Sequence, residues 1–173
     1  MISVYNLLLT LDSISLLVTV YLIKSSIWLP HLGEKISIVL YFIIPLILAI
    51  VCDKTSVYLE KEDLDRITSI EPANDSYLPS YMGFFFIALS IPDKDLITFI
   101  SVFIILFILL YMSQNIYYNP LFLLLGYHFY RVGLSSGKKA LVITKDELVT
   151  CEDLLIPEVY VINDFTFIKK DRV

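Results

Sequence analysis

The apolar residues of this chain are gathered into separate blocks, and that arrangement limits its possible folds more than any other feature. The blocks are residues 4–23, 36–52, 80–91 and 96–112, with polar segments between them. Hydrophobic residues make up 57% of the 173 residues, whereas a soluble globular domain is about 45–50% apolar. The mean hydropathy of +0.76 agrees with that excess. The pattern is typical of an integral membrane protein.

The blocks predict four transmembrane helices, the third being the shortest. Crossing a hydrocarbon core of about 30 Å takes roughly 20 residues, and residues 4–23 meet that length. The second block contains Pro45, a predicted kink. The short block 80–91 is followed by the turn PDKD (92–95), which cannot lie in hydrocarbon and would make the last two blocks a hairpin. We expect an α-helical multi-pass membrane protein with four spans in residues 1–118.

The loop 53–79 is strongly acidic, with seven acidic residues against three basic ones. It is expected to be solvated, and its part up to Ile70 is compatible with a continuation of the second helix. One interpretation is a docking surface for a partner with basic residues; the alternative, a solvated charged face, is equally compatible with the pattern. The candidate docking residues are Glu60, Glu62, Asp63 and Asp65 in this loop, with His128 and Arg131 farther along the chain.

The stretch NPLFLLLGYHFYRV (119–132) follows the fourth block and is apolar enough to suggest a fifth span. Asn119-Pro120 predicts the end of the preceding helix, because a residue before proline avoids the helical conformation. The ten residues 121–130 would cover only about 15 Å as a helix, half of the hydrocarbon core. We therefore expect a strand here, as the start of a small cytoplasmic β domain at 119–173.

Two later segments also predict strands. Residues 138–144 are KKALVIT, and residues 158–170 hold EVYVIN and FTFIKK, with Asn163-Asp164 as the turn of a hairpin. The segment 144–155 is mixed, with a single helical turn at most. Four short strands would form a small β-sheet or a partial barrel resembling an SH3 domain.

The distribution of basic residues predicts the orientation. With four spans, both termini and loop 53–79 share one side, which holds ten basic residues against three on the other. Basic residues favour the cytoplasmic side. Both termini are therefore expected in the cytoplasm.

One polar stripe lies inside the first block. Asp12, Ser15 and Thr19 share a helical face, and polar groups in hydrocarbon face other protein or a cavity. The stripe is either an ion or proton path or a charge that responds to membrane disturbance, or else a protonated or hydrogen-bonded Asp that joins helices or subunits. The second interpretation is favoured.

The sequence contains no pattern that supports catalysis. The formal charge of −5 argues against direct nucleic-acid binding, which needs a basic surface. Cys52, Cys151, His31 and His128 lack the spacing of a metal site, and no nucleophile motif is found. We expect a non-enzymatic protein without a cofactor or a metal.

Two functions remain. The first is a sensor or anchor that forms homo-oligomers in membrane lipid and holds a cytosolic effector through its loop and β tail. The second is an oligomeric channel or pore that perturbs the membrane potential, for which the Asp12 stripe is the main support.

The whole chain resembles the family of small membrane subunits (KwaA) of the bacterial Kiwa anti-phage defence system. The resemblance lies in the layout of spans, in EPANDSYLPSYMGFFFIALSI at the end of the acidic loop, and in NPLFLLLGYHFYRV before the β tail. It implies an oligomer in the bacterial inner membrane that senses phage at the envelope. It also implies action through a separate cytosolic DNA-binding effector subunit. No functional residue is carried over from the family.

Overall fold

The structure, a computed structural model, describes residues 2–113, 119–148 and 158–170. Cys151 and most of the mixed segment 144–155 lie outside these ranges. The α-helices are α1 (Ile2–Lys24), α2 (Gly33–Thr55), α3 (Leu78–Ser90), α4 (Leu96–Ser113) and α5 (Pro120–Leu124), with a 3-10 turn at Ser56–Tyr58. The strands are β1 (Lys61–Glu62), β2 (Ile67–Pro72), β3 (His128–Leu134), β4 (Lys139–Thr144), β5 (Val159–Asn163) and β6 (Thr166–Lys169).

The two halves of α1 belong to different hydrophobic cores. Its first half buries Tyr5 and Leu9 against the sheet, together with Cys52 of α2. Its second half buries Ile14, Leu17 and Tyr21 against α3 and α4. One apolar helix therefore joins a sheet core to a helix bundle, and the change from one core to the other occurs at Asp12.

Helix α2 passes through Pro45 without a break. Proline has no N–H, so the carbonyl four residues earlier, that of Tyr41, loses its helical donor. The Thr19 hydroxyl on α1 donates to this carbonyl oxygen at 2.8 Å. A donor from a neighbouring helix thus replaces the missing bond, as buried proline-containing helices require.

Helices α3 and α4 form a hairpin that packs on the second half of α1. At the start of α3, the Tyr81 hydroxyl donates to the backbone carbonyl of Ser13 at 2.8 Å. At the other end, the Lys24 ammonium lies 2.9 Å from a carboxylate oxygen of Asp93. Asp95 caps α4 by accepting from Thr98, and these hydrogen bonds hold the pKa of the Asp95 carboxyl below its usual range.

The expectation of four transmembrane spans is wrong. Among the described residues, two helices are long and apolar enough to cross a membrane, over Val4–Lys24 and Gly33–Tyr58. Helix α3 has 13 residues, which at about 1.5 Å per residue is close to 20 Å and short of the roughly 30 Å required. Helix α4 is apolar but also falls among the shorter helices, over Leu96–Met112. The length and composition of α1 and α2 support association with a membrane.

The strands form one mixed sheet in the order β1-β5-β6-β4-β3-β2. Neighbours are antiparallel except β4 and β6, which are parallel. The C-terminal strands confirm the expected β-rich tail, including the hairpin of β5 and β6. The sheet is open, with β1 and β2 at its edges, so the expectation of a partial barrel is wrong.

Both edge strands come from the acidic loop 53–79. The helix of the second block ends at Thr55, not near Ile70, and the chain then supplies β1 and β2. Strand β2 pairs with β3, so that Glu71 lies opposite Arg131. The loop is therefore part of the sheet, which composition alone does not indicate.

The stretch 119–132 is neither a span nor one long strand. It begins with α5, only five residues long, and β3 starts at His128. Phe122 of α5 and Phe129 of β3 are buried in the core that also holds Tyr5 and Leu9. The strong apolarity of this stretch thus serves the core between the sheet and the helices.

Candidate functional site at the helix–sheet junction

A buried group of polar side chains lies where the sheet core meets the helix bundle. Asp12 of α1 is fully buried, and the Asn119 Nδ2 donates to its Oδ2 at 2.5 Å. The other carboxylate oxygen, Oδ1, is buried and has no hydrogen-bond partner within the described part of the chain. A buried acid with one of its two oxygens unsatisfied costs free energy of folding.

Asn119 connects Asp12 to two further elements. Its Oδ1 accepts from the backbone N–H of Leu121 at 3.0 Å, which caps α5. The same oxygen lies 3.4 Å from the hydroxyl of Tyr81 on α3. Because Tyr81 also bonds to Ser13, the start of α3, the middle of α1 and the start of α5 meet at one point. We call Asp12, Asn119 and Tyr81 the junction node.

The other two residues of the predicted stripe have separate partners. Ser15 Oγ donates to the carbonyl of Asp12 on its own helix at 2.6 Å, and Thr19 donates across to α2. Thr19 is buried inside the single chain. The structure therefore places Asp12, Ser15 and Thr19 on one helix, but brings only Asp12 into the junction node.

A second polar cluster ties the end of α2 to the sheet. The hydroxyl of Tyr127 donates to Asp53 Oδ1 at 2.6 Å, and the Lys170 ammonium forms an ion pair with the same carboxylate. Lys170 also donates to the backbone carbonyl of Asp53 at 2.6 Å. The Lys145 ammonium lies 5.0 Å from the centre of the Tyr127 ring. Asp53 is thus held by Tyr127 and Lys170, which lie 74 and 117 positions farther along the chain.

The candidate docking residues fall into separate places. Glu62, Asp63 and Asp65 line a groove of about 430 Å³ on the sheet face away from the helices, opposite Lys138 and Phe165. Glu60 is exposed, and its backbone carbonyl accepts from Val161.

The other two docking candidates lie elsewhere on the sheet. His128 lines a different hollow of about 480 Å³ with Asn74 and Tyr130, and Asn74 Nδ2 lies 3.3 Å from its Nδ1. Arg131 points to the sheet face opposite that of His128, because successive side chains of a strand alternate. Its guanidinium lies 3.9 Å from the carboxylate of Glu71. Three of the six candidates therefore share one surface.

Sequence reasoning found Asp12 but missed its partners. Asn119 was interpreted only as the end of a helix, although an Asn before a Pro at the first helical position is a typical N-cap. Tyr81 and Tyr127 are aromatic residues within apolar stretches, and no local signal distinguishes them from their neighbours. In residues 2–113, 119–148 and 158–170, no three His, Cys, Asp or Glu side chains gather as a metal site.

Within the described residues, fold and site define a small protein with two candidate membrane helices and a six-stranded sheet. Asp12 and Asp53 of these helices bond to Asn119, Tyr127 and Lys170, which lie next to α5 and the strands. The chain belongs to the family of the anti-phage protein KwaA, whose family model matches residues 5–168. This confirms the resemblance to the Kiwa system and assigns the protein to anti-phage defence. No curated protein and no solved structure matches the chain.

Proposed function

We propose that the protein is a non-enzymatic membrane sensor and anchor of anti-phage defence, which recruits a cytosolic DNA-binding effector subunit. In this proposal α1 and α2 cross the bacterial inner membrane, and the sheet and both termini lie in the cytoplasm. The observation that carries it is the division of α1 between two cores at Asp12. A displacement of the helix bundle would act directly on the sheet, because the same helix is part of both.

The exposed surface of the helices supports insertion in lipid. Large apolar side chains point outward along α2 and α4, among them Phe42, Ile44, Ile47, Ile105 and Leu109. Soluble proteins rarely expose contiguous apolar surface of this kind. Lipid or a second copy of the chain is its expected environment, and homo-oligomerisation through these faces is part of the same proposal.

The charges at the two ends of the helices support the orientation. Lys54 lies in the last turn of α2, and Lys61 and Arg66 follow the helix on the side of the sheet. Further basic residues, Arg131, Lys139 and Lys169, lie in the strands themselves. The opposite end carries Lys24, Lys35 and Lys94. The excess on the sheet side favours a cytoplasmic location for the sheet.

The groove on the outer sheet face supports effector recruitment. It combines the carboxylates of Glu62, Asp63 and Asp65 with Lys138 and with Phe165, which is 51% exposed. An exposed aromatic residue surrounded by charges is typical of a protein-binding surface. The groove lies on the face opposite the helices, so a cytosolic partner could reach it while the chain is in the membrane.

The alternative function, an oligomeric channel, has less support. A polar path through an oligomer needs polar side chains on the outside of each chain, where copies meet. Asp12 and Thr19 are buried inside the single chain, at 0% and 3% exposure, and each bonds to another part of that chain. They fit the role of groups that hold helices together.

Co-purification with the product of the neighbouring gene tests the proposal. The wild-type chain should retain that protein, whereas Asp65→Lys and Phe165→Ala should weaken retention by about tenfold or more, as expected for interface residues worth over about 1.4 kcal/mol. Asp75→Lys is the matched control, an exposed acid outside the groove. All three variants should stay in the membrane after carbonate extraction.

Two results would contradict the proposal. One is equal retention by the groove variants and by Asp75→Lys, which would remove the docking surface. The other is ion flux through liposomes that contain the purified chain alone, which would support the channel. Reporter fusions at both termini test the orientation, and an active periplasmic reporter at either end would overturn it.

A further inference from the structure

Helices α1, α3 and α4 are level with one another at the end of the bundle that lies away from the sheet. The Lys24 ammonium at the end of α1 donates to the carbonyl of Ile91, just after α3, and lies 2.9 Å from Asp93. Near the start of α4, the ring of Phe99 stacks on the ring of Tyr21, with 4.0 Å between their centres. These contacts align the three helices at this end, which we call the outer end.

At its other end, α3 reaches only as far as the middle of α1. The hydroxyl of Tyr81, near the start of α3, donates to the backbone carbonyl of Ser13, and α1 runs from Ile2 to Lys24. The 13 residues of α3 cover about 20 Å. Helices α2 and α4 have 23 and 18 residues, or about 35 and 27 Å. Of the three helices around α1, α3 is therefore the shortest.

The chain that leads into α3 carries groups that are costly in hydrocarbon. Asp75 is exposed three residues before Leu78, the first residue of α3, and Glu71 is exposed on β2. Strand β2 is an edge of the sheet, and an edge strand presents backbone N–H and C=O groups to its surroundings. Exposed carboxylates and open backbone groups are excluded from a hydrocarbon core. Lipid tails can therefore cover α3 itself but not the chain before it.

The apolar surface of α2 extends farther toward the sheet. The bond from Thr19 to the carbonyl of Tyr41 sets these two residues level, and α2 runs antiparallel to α1. Ile47, six residues after Tyr41, is therefore close to the level of Ser13, six residues before Thr19. Ile47 is exposed, and so is Val51, one turn nearer the sheet. Exposed apolar residues thus continue past the level of Ser13 on α2, whereas on α3 they stop close to it.

We propose that the bilayer is locally thinned beside α3, where its cytoplasmic leaflet ends near the level of Ser13. The proposal rests on the proposed function, because it needs α1 and α2 across the membrane and the sheet in the cytoplasm. A typical hydrocarbon core is about 30 Å thick, whereas α3 offers about 20 Å, and a bilayer thins around a short apolar surface. Because the outer ends of the helices are level, the shortfall falls on the cytoplasmic leaflet.

This thinning changes the surroundings of the junction node. Asp12 precedes Ser13, near the middle of α1. In a bilayer of full thickness that level would be close to the centre of the hydrocarbon core, where an acidic residue is most costly. Beside α3 it lies near the lipid headgroups instead. The junction node is therefore close to water on the side of α3.

Fluorescence quenching of single tryptophans tests the depth of α3. The full chain, with its one tryptophan removed by Trp28→Phe, is placed in vesicles of phosphatidylcholine with either Ser80→Trp or Ile47→Trp added. Ser80 of α3 and Ile47 of α2 are both exposed and are the matched pair, since both are near the level of Ser13. Acrylamide in water should quench Ser80→Trp more strongly than Ile47→Trp. Lipid brominated in the middle of its acyl chains should give the reverse order.

Bilayer thickness gives a second measurement, which needs no variant. The thermal unfolding midpoint of the wild-type chain should be highest in phosphatidylcholine with acyl chains of about 14 carbons, and lower with about 18 and 22. Charge insertion adds a further comparison in the lipid with about 18 carbons. Ile47→Lys should lower the midpoint clearly more than Ser80→Lys, because a lysine costs more near the centre of the bilayer than near its surface.

Three results would overturn the proposal. Equal quenching of Ser80→Trp and Ile47→Trp by brominated lipid would show a leaflet of full thickness at α3. A midpoint that rises with acyl-chain length would show that the chain does not prefer a thin bilayer. Shielding of Ser80→Trp from both quenchers, with an oligomer in light scattering, would make a second copy the cover of α3.

Carbonate extraction separates these results from the proposed function. A wild-type chain that is released from membranes contradicts the membrane anchor. A chain that is retained, but whose Ser80→Trp variant is quenched from the lipid, contradicts only the thinning.

Discussion

The hydroxyl of Thr19 donates to the backbone carbonyl of Tyr41, at 2.8 Å between the two oxygens. This is the carbonyl that Pro45 leaves without a helical donor. One hydrogen bond therefore joins α1 to α2 and also satisfies the unpaired carbonyl of α2. Tyr41 in turn donates its own hydroxyl to the carbonyl of Ile27 in the loop between these helices. The pair of helices is thereby held together by polar contacts in an apolar surrounding.

Replacing Thr19 by Val should therefore cost more than the loss of one exposed hydroxyl. The Tyr41 carbonyl would be buried without a donor, and we expect a loss of about 1–3 kcal/mol in the free energy of unfolding. In a Pro45→Ala background the loss should be clearly smaller, because residue 45 then supplies an N–H. Thr10→Val is the control, since the hydroxyl of Thr10 bonds within its own helix. Equilibrium unfolding in detergent measures all of them.

Asn119→Ala should destabilise the junction node. It removes the cap of α5, worth about 1 kcal/mol, and leaves the carboxyl of Asp12 unsatisfied, which adds about 1–3 kcal/mol. In an Asp12→Ala background the bond to Asp12 is already gone, and the cap and the long 3.4 Å contact with Tyr81 remain, so the same substitution should cost only about 1 kcal/mol there. Equal losses in both backgrounds would show that the two residues are not coupled.

Lys170→Met should destabilise more than Lys169→Met. Lys170 and Asp53 are 17% and 22% exposed, and the expected loss is about 1–3 kcal/mol, as for a hydrogen bond to a charged group. The neighbouring pair of Lys169 and Asp146 is more open to solvent, at 28% and 45%, and should contribute at most about 1 kcal/mol. Chemical unfolding of the two variants in parallel measures both losses. A larger loss for Lys169→Met than for Lys170→Met would contradict the prediction.

Gly133→Ala should weaken the pairing of β2 with β3. A Cβ at this position would lie 2.5 Å from Ser69 Oγ, and overpacking of this kind costs about 1–3 kcal/mol. Adding Ser69→Ala removes the clashing oxygen and should restore most of the loss. Gly83→Ala is the control: no atom lies within 4 Å of its Cβ, and it should gain up to about 1 kcal/mol from helix propensity. Thermal unfolding of the four proteins tests this.

The bounds of the long helices could be predicted, but not which of them could cross a membrane. Apolar blocks separated by polar turns predict helices whether the helices lie in a protein core or in lipid. Leu9 against the sheet and Ile44 facing outward are equally apolar in the sequence, because hydropathy does not distinguish a protein core from lipid. Helix length separates only the two shorter helices, α3 with 13 residues and α4, from α1 and α2.

The candidate site could be predicted only in part, because its contacts are long-range. Asp12 is conspicuous as an acid in an apolar block, whereas its partner Asn119 is 107 positions away. Lys170 and Asp53 are separated by 117 positions. Strand β2 was hidden by its position at the edge of the sheet, where its exposed residues give no alternating apolar pattern.

The parallel pairing of β4 with β6 has a consequence for synthesis. Strand β6 is the last strand of the described chain, yet it lies inside the sheet, between β5 and β4. Strand β6 is the link between the pair β1 and β5 and the strands β4, β3 and β2. This link is missing until residues 166–169 leave the ribosome. Helices α1 and α2 are made first, and Phe122 and Phe129 can cover Tyr5 and Leu9 early, but the contribution of Ile168 to the same core comes only with β6. A polypeptide that stops before Thr166 would thus contain its helices but only part of the core that packs against them, and such exposed apolar surface favours aggregation.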